Sequence, residues 1–174
     1  MQNLKNGGVI WLTGLAGSGK SYIAEELCRK LKEKLNNIIY LDGDELRDLL
    51  GHYGYEKEGR IEVSLKRSNF AHFLSSQGMI VIVSTISMWN EIYSYNRKRL
   101  KNYFEIYIKC DFEELKRRDK KGLYSGAIQG DIKNVVGVDI DFDEPCPDLI
   151  IDNSKLDNLE EKVSTILNSL QKHL

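Results

Sequence analysis

An eight-residue glycine-rich stretch, Gly14-Leu15-Ala16-Gly17-Ser18-Gly19-Lys20-Ser21, constrains the fold of this chain more than any other feature. It matches in full the phosphate-binding pattern GxxxxGK[ST], which needs a strand before the loop and a helix after it. Residues 9–13 form an apolar run that predicts a buried strand, and residues 20–35 carry apolar side chains at helical spacing. This strand–loop–helix unit predicts binding of a nucleoside triphosphate. The alternative is a glycine-rich connector with a chance Lys-Ser pair.

Each polar position of the loop has a predicted role. Backbone N–H groups of the turn close around phosphate oxygens, and the helix N-terminus contributes its positive end. Lys20 reaches the β- and γ-phosphates, and the Ser21 hydroxyl ligates Mg²⁺. The predicted phosphate-binding residues are Gly14, Leu15, Ala16, Gly17, Ser18, Gly19, Lys20 and Ser21.

Composition excludes several other classes of protein. The formal net charge of −1 argues against a general nucleic-acid binder, which needs a basic face to displace counterions. No apolar run approaches the ~20 residues of a membrane span, and the N-terminus lacks the apolar core of a signal peptide. The three cysteines are widely spaced and suit a reducing compartment, so we expect a cytoplasmic protein without a membrane partner.

Strand-like and helix-like patterns alternate along the chain. The predicted strands cover residues 9–13, 38–41, 79–83, 104–108 and 149–151, and the main predicted helices cover 20–35, 60–77, 90–101, 111–118 and 156–170. This order implies an α/β protein whose parallel sheet is flanked by helices on both faces. With no repeat or linker, we expect a single domain over residues 1–174. On helix 60–77 the predicted buried side carries Ile61, Leu65, Phe70, Phe73 and Leu74.

Residues 120–147 stand apart because they are rich in Gly and Asp and lack clear periodicity. A connection of that length without regular structure is often a functional lid in a compact domain. We therefore predict a lid here. A disordered surface insertion is the alternative.

Two carboxylates follow the second predicted strand, in Asp42-Gly43-Asp44. In a parallel sheet this position lies at the carboxyl edge, beside the phosphate-binding loop. Asp44 is the predicted base or metal-water contact, with Asp42 in support, because a carboxylate there can accept the proton of an attacking hydroxyl. Arg47 lies one turn further on. The alternative is a polar turn that caps a helix starting near Glu45.

A cluster of cations stands where the fifth predicted helix meets the lid: Arg117, Arg118, Lys120 and Lys121. Cations at this position could close over a triphosphate and exclude water. For any one of them a solvated helix face is the more common explanation. The cluster therefore indicates a phosphate-binding role only together with the motif that follows it.

That motif makes the chain resemble the adenylylsulfate (APS) kinases over nearly its whole length. The matching landmarks, besides the phosphate-binding loop, are Leu41-Asp42-Gly43-Asp44-Glu45-Leu46-Arg47, Gly54-Tyr55, Arg60 with Glu62, Ile86-Ser87, Arg118-Asp119-Lys120-Lys121-Gly122-Leu123-Tyr124 and Gly137-Val138-Asp139. The resemblance implies a P-loop kinase fold, usually dimeric, that transfers the γ-phosphate of MgATP to the ribose 3′-hydroxyl of a small nucleotide. It also implies that Arg118 binds ATP. The implied acceptor-side residues are Arg47, Tyr55, Arg60, Ser87, Lys121, Gly122 and Leu123.

The departures from the family pattern cluster on the acceptor side. Val63-Ser64-Leu65-Lys66 stands in place of Asn-Ile-Arg-Arg, and Ser87-Met88-Trp89-Asn90 in place of Ser-Pro-x-Arg. Tyr55 and Val135 align with two phenylalanines that sandwich the acceptor base, and the lid Ala-Arg pair is Ala127-Ile128. Each lost arginine removes a bidentate donor for phosphate or sulfate. Neutral drift is the alternative explanation.

Three hypotheses follow from this pattern. The leading one is a kinase similar to the cytidine diphosphoramidate kinases of capsular phosphoramidate synthesis, whose acceptor has a smaller base and a terminal P–N group that suit the altered site. The second is an authentic APS kinase that makes 3′-phosphoadenylyl sulfate for sulfate assimilation. The third is a nucleotide-responsive binding protein without an acceptor. A GTPase is disfavoured because the sequence has no NKxD motif.

Overall fold

Five parallel strands form one sheet in the computed structural model, which describes residues 7–51 and 53–173. The strands are β1 (Gly8–Thr13), β2 (Ile38–Asp42), β3 (Ile80–Thr85), β4 (Tyr103–Lys109) and β5 (Leu149–Asp152). The helices are α1 (Lys20–Lys32), α2 (Gly43–Leu50), α3 (Lys57–Ser76), α4 (Asn90–Arg99), α5 (Phe112–Arg118), α6 (Leu123–Gln129) and α7 (Leu159–His173). All five predicted strands are confirmed, with small shifts at their ends.

The strand order is β2-β3-β1-β4-β5, so β1 lies at the centre between β3 and β4. Thr13 of β1 pairs in register with Thr85 of β3, and Asp42 of β2 pairs with Ser84. The carboxyl ends of these strands therefore lie level at one edge of the sheet. Ligands of open α/β sheets bind at that edge.

Alternating side chains of the strands bury the two faces of the sheet under different helices. On one face Ile10 and Leu12 pack with apolar residues of α1 and α7. On the other face Val9 and Trp11 pack with residues of α3 and α4. All six residues of β1 are buried, as expected of a central strand covered on both sides. The predicted architecture, a parallel sheet with helices on both faces, is confirmed.

The predicted buried side of α3 is wrong at Phe73, whereas its other four residues are partly buried against the core. Phe73 is 58% exposed, and the fully buried positions of this helix are largely small or polar. They are Gly59, Val63, Ser64, Arg67, Ser68, Ala71 and Ser75. The other predicted residues are only partly buried at the edges of this face. Apolar spacing did not identify the most buried positions because these carry serines and an arginine instead of large apolar side chains.

Residues 120–147 contain more regular structure than their sequence indicates. A 3₁₀ turn at Lys120–Gly122 leads into α6, and Tyr124, Val135 and Val136 are buried against Leu15 and neighbouring apolar residues. Because these side chains form part of a core, the segment is not a disordered insertion. The expectation of a connection without regular structure was wrong at α6. In the described ranges, no helix has the length and apolarity needed to cross a membrane.

Candidate active site

A cavity of about 810 Å³ opens at the carboxyl edge of the sheet. Its walls come from the glycine-rich loop, the turn after β2, the start of α3, the end of β3 and the segment that follows α5. The volume lies within the range of ligand-binding clefts. Of the predicted residues, Ala16, Gly17, Gly19, Lys20, Ser21, Asp42, Asp44, Arg47, Tyr55, Arg60, Lys121 and Leu123 line it.

The backbone of the glycine-rich loop requires its glycines. Gly17 and Gly19 have φ angles of 75° and 94°, in the left-handed region that side chains disfavour. A Cβ on Gly19 would lie 2.3 Å from Nδ2 of Asn153. That same amide donates to the Ser18 carbonyl over 2.7 Å, so the residue after β5 fixes the loop. Gly14, Leu15 and Ser18 lie behind the cavity wall and shape the loop through their backbone.

Lys20 is held inside the loop that precedes it. Its Nζ donates to the Leu15 carbonyl over 2.8 Å, and the residue is only 7% exposed. Burial lowers the pKa of the Lys20 ammonium to about 8, opposed by the nearby charges of Asp44 and Asp42. A buried ammonium beside two carboxylates is suited to meet phosphate oxygens entering the cavity.

Asp42 is held by hydrogen bonds on both of its oxygens. Oδ2 accepts from Ser21 Oγ at 2.9 Å and from Tyr40 Oη at 3.0 Å. Oδ1 accepts from the backbone N–H groups of Asp44 and Glu45, which caps α2. Burial alone would raise the pKa of Asp42, but these hydrogen bonds lower it. Asp42 is therefore a helix cap and an anchor for the Ser21 hydroxyl, as the turn-capping alternative expects.

Asp44 differs from Asp42 in its contacts. Its carboxylate lines the cavity, and among residues 7–51 and 53–173 it has no hydrogen-bond partner, apart from its backbone N–H bonding to Asp42. A carboxylate without a partner in a cleft beside a buried lysine is available to accept a proton. The two aspartates thus differ in their hydrogen bonds, with Asp42 satisfied on both oxygens and the Asp44 carboxylate facing the cavity.

Arg118 lies outside the cavity, on the far wall of the glycine-rich loop. Its guanidinium donates to the carbonyls of Gly17 at 3.2 Å, Asn153 at 2.6 Å and Ser154 at 3.1 Å, and Nε donates to Glu114. The side chain is only 8% exposed. Arg118 therefore braces the loop against the segment after β5, and its predicted direct contact with the triphosphate is not seen in the lining of this cavity.

Two arginines surround Tyr55 on the acceptor side. The guanidinium carbons of Arg47 and Arg60 lie 4.2 and 5.5 Å from the centre of the Tyr55 ring. Arg47 donates to the Gly54 carbonyl, while Arg60 donates to the carbonyls of Tyr55 at 2.6 Å and Asn134 at 2.8 Å. Burial, with repulsion from Arg47, lowers the pKa of Arg60. Arg60 thus connects the α2–α3 loop to the predicted lid.

The backbone that carries Lys121 is unusually bent. Asp119, Lys121 and Gly122 have φ angles of 27°, 68° and 65°, a conformation that is rare for residues with a Cβ. The Asp119 carboxylate accepts from the Tyr124 N–H at 2.7 Å, and the Tyr124 hydroxyl donates to the Ala16 carbonyl at 2.8 Å. These bonds place Lys121 and Leu123 in the cavity wall, whereas Gly122 shapes the turn without lining the cavity.

Ser87 does not reach the cavity. It is fully buried, and its Oγ lies 2.8 Å from Ser64 Oγ and 3.2 Å from Thr85 Oγ1. The polar side chains that this part of the chain places in the wall are Ser84 and Thr85 instead. The predicted acceptor contact at Ser87 is therefore corrected to a buried hydrogen bond behind the site.

Sequence reasoning missed Arg67, which lines the cavity from α3 although it is only 3% exposed. The available signal was a polar series at helical spacing, Arg60, Ser64, Arg67 and Ser68. Tyr40, which bonds to Asp42, was also missed because it lies within an apolar strand pattern.

Known proteins share this sequence and fold. The sequence profile of the family described as Adenylylsulphate kinase matches residues 6–152. A cytidine diphosphoramidate kinase from Campylobacter jejuni is 64% identical over 162 residues, covering 93% of this chain and 95% of that protein. An adenylyl-sulfate kinase from a Picosynechococcus species is 37% identical, covering 94% and 93%.

Among solved structures, the Mycobacterium tuberculosis APS kinase CysC in complex with AMPPNP and APS superposes with a TM-score of 0.86 at 33% identity. The match covers 95% of this chain and 98% of that one. The family match, the level of identity and the glycine-rich loop at the carboxyl edge agree with one another. The chain therefore belongs to the adenylylsulphate kinase family and is an ATP-dependent nucleotide kinase with the P-loop kinase fold.

Proposed function

We propose that this kinase transfers the γ-phosphate of ATP to the ribose 3′-hydroxyl of cytidine diphosphoramidate, in capsular phosphoramidate synthesis. The observation that carries the proposal is the contrast in similarity: 64% identity to a cytidine diphosphoramidate kinase against 37% to an adenylyl-sulfate kinase, each over more than nine-tenths of this chain. The altered acceptor side gives independent support.

The proposed base site has one aromatic wall. Tyr55 and Val135 line the same cavity, and Val135 supplies an aliphatic surface where the family pattern has a second phenylalanine. Stacking of a base on an aromatic ring contributes about 1–3 kcal/mol, so a site with one ring gives up part of that energy. A pyrimidine has the smaller stacking surface and loses less by this change than adenine does.

The proposed tail site keeps three cations, Arg47, Arg60 and Lys121, which line the cavity. The arginines of the family's Asn-Ile-Arg-Arg run are replaced by Leu65 and Lys66. Lys66 pairs with Glu62 on the outer side of α3, where its side chain is 49% exposed. Fewer guanidinium groups at the tail suit a diphosphoramidate, because its terminal P–NH₂ group offers two acceptor oxygens and an N–H donor where a sulfate offers three acceptor oxygens.

In the proposed reaction, Asp44 accepts the proton of the attacking 3′-hydroxyl, and Lys20 neutralises charge on the transferring phosphoryl group. Ser21 and Asp42 offer hard oxygen ligands at the cavity edge, a donor set that fits Mg²⁺. A Mg²⁺ ion held by these residues would supply positive charge that offsets the charge of the phosphates. Lys121 and the segment 120–147 act as a lid that keeps water from the transferring group.

The proposal also covers the domain organisation, the oligomeric state and the location of the enzyme. We place residues 1–174 in a single domain, because strands from Gly8 to Asp152 join one sheet. We expect a cytoplasmic homodimer, as the resemblance to the family implies. Light scattering on the purified protein tests the dimer, and a monomer at micromolar concentration would refute that part.

The deciding experiment measures ATP-coupled turnover of cytidine diphosphoramidate and adenylyl sulfate in parallel, with phosphorus NMR to locate the new phosphate. The expected result is a higher kcat/KM for the cytidine compound by tenfold or more and a 3′-phosphorylated product. The Lys20→Ala variant, purified identically, controls for contaminating kinases. A preference for adenylyl sulfate would instead establish the second candidate, which the 37% identity to an adenylyl-sulfate kinase favours.

A further inference from the structure

The face of α3 that packs on the sheet beneath the acceptor side carries a buried polar network. Ser64 Oγ donates to the Arg60 carbonyl at 2.7 Å and lies 2.8 Å from Ser87 Oγ. Ser87 Oγ in turn lies 3.2 Å from Thr85 Oγ1, to which Arg67 Nη1 donates over 2.8 Å. The network therefore runs from Arg60, at the mouth of the cavity, to Arg67 at its floor.

Arg67 connects two strand ends that carry the site. Besides Thr85 at the end of β3, its guanidinium reaches the Gly43 carbonyl through Nη2 at 2.9 Å. Gly43 lies between Asp42 and Asp44, and a Cβ there would sit 2.6 Å from the Ser84 carbonyl. The turn is thus pressed against β3, and the planar fork of Arg67 spans both segments.

The charge of Arg67 has no carboxylate partner. Both groups that accept its hydrogen bonds are neutral, and within 7–51 and 53–173 no carboxylate lies within ion-pair distance of it. Burial, with repulsion from Arg47, lowers the pKa of Arg67 to about 10 against the attraction of the more distant Asp44 and Asp42, so the guanidinium keeps its charge at neutral pH. Buried charges are normally paired, because leaving one unpaired is costly. Instead of a carboxylate, the Arg67 guanidinium holds the Thr85 hydroxyl and the Gly43 carbonyl, which belong to two segments that line the site.

We propose that Arg67 is a positioning residue for phosphoryl transfer, which fixes the turn bearing Asp44 against the end of β3 and supplies a fixed positive charge under the acceptor side. Lys66 cannot substitute for it because the Lys66 ammonium bonds to the Tyr53 hydroxyl and pairs with Glu62 on the exposed side of α3. The inference rests on the kinase activity of the chain and holds for either proposed acceptor.

The test compares Arg67→Met and Arg67→Lys with the matched control Lys66→Met, the next residue on the same helix. We expect kcat to fall about 10- to 100-fold in Arg67→Met, the range for losing charge-assisted hydrogen bonds, while Kd for a fluorescent ATP analogue stays within about threefold. Arg67→Lys keeps the charge, but its single ammonium cannot bond to both the Gly43 carbonyl and the Thr85 hydroxyl. Its kcat should therefore stay at least fivefold below that of wild type. Lys66→Met stays at the wild-type rate.

Rates are expressed per ATP-binding site, so that unfolded protein does not lower the measured kcat. A residue with a merely structural role would then lower the melting temperature and leave kcat unchanged. That result would overturn the inference. If Arg67→Met does not fold, Thr85→Val removes one of the two acceptors and should lower kcat about threefold to tenfold. Wild-type rates in both Thr85→Val and Arg67→Lys would also overturn it. Wild-type protein that phosphorylates neither acceptor counts against the proposed function alone. In that case the rate of ATP hydrolysis is measured for the same variants and for wild type. Equal hydrolysis rates in Arg67→Met and wild type would reject the role of Arg67.

Discussion

The phosphate-loop side and the acceptor side of the cavity are held in different ways. On the phosphate-loop side, buried groups bond to the backbone of the loop: Lys20 to Leu15, Asn153 to Ser18 and Arg118 to Gly17. On the acceptor side, Tyr55 is 58% exposed, and Arg60 bonds to carbonyls of two connecting segments.

This difference matches what each side must recognise. A triphosphate presents the same oxygens to every kinase, so backbone N–H groups in a fixed turn suffice to bind it. An acceptor differs from one relative to the next, and side chains on connecting segments can change without disturbing the sheet. The family pattern is accordingly complete on the first side and altered on the second.

The largest effect expected on the phosphate-loop side is that of Lys20→Ala. Removing the ammonium that faces the transferring phosphoryl group should lower kcat by about 10³-fold or more, since single preorganised charges contribute factors of 10²–10³ and above. Circular dichroism should show the fold retained. A variant with a near-native rate would contradict the assignment of the loop.

A smaller effect, at the boundary of the two sides, distinguishes the two aspartates. Asp44→Asn should lower kcat about 10²- to 10³-fold, within the range of general-base catalysis, with little change in melting temperature because its carboxylate makes no hydrogen bond to the described residues. Asp42→Ala, in contrast, should lower the free energy of unfolding by about 1 kcal/mol, because it removes the cap of α2. Equal losses of stability in the two variants would refute the distinction.

On the acceptor side, Arg60→Gln should raise KM for the nucleotide acceptor about tenfold or more and leave KM for ATP within twofold. The guanidinium lost there lines the acceptor cavity and holds the Asn134 carbonyl of the proposed lid. Arg117→Gln is the matched control, since Arg117 pairs with Glu114 on the exposed face of α5 and with no other carboxylate in the described part of the chain. Steady-state kinetics with each substrate varied in turn measure the split. A parallel rise in both KM values would show that the two sides are not independent.

The smallest effect concerns stability and pH without nucleotide. Because burial lowers the pKa of Lys20 from 10.5 to about 8, the folded chain binds fewer protons than the unfolded chain between these values. The free energy of unfolding should therefore rise for wild type relative to Lys20→Met as pH increases from 8 toward 10, by on the order of 2 kcal/mol. Urea unfolding of both proteins across this range measures the difference. A constant difference would mean that the Lys20 pKa is not lowered.

Several features were predictable because they depend on local sequence. The strand–loop–helix unit, the five strands and the position of Asp42-Gly43-Asp44 follow from apolar runs and glycine spacing, which fix backbone conformation directly. The buried face of α3 was not predictable in this way. Its serines and Arg67 are satisfied by partners on β3 and the turn after β2, which are distant in sequence.

The sequence by itself determined the phosphate-binding loop, the α/β architecture and the resemblance to a kinase family, because glycine conformations and hydrophobic periodicity are local properties of the chain. Only the tertiary structure decided which aspartate is free, that Ser87 is buried, that Arg118 braces the loop and that Arg67 lies at the cavity floor. Those roles depend on hydrogen-bond partners that the fold brings together from separate strands and helices. A linear pattern does not specify such partners.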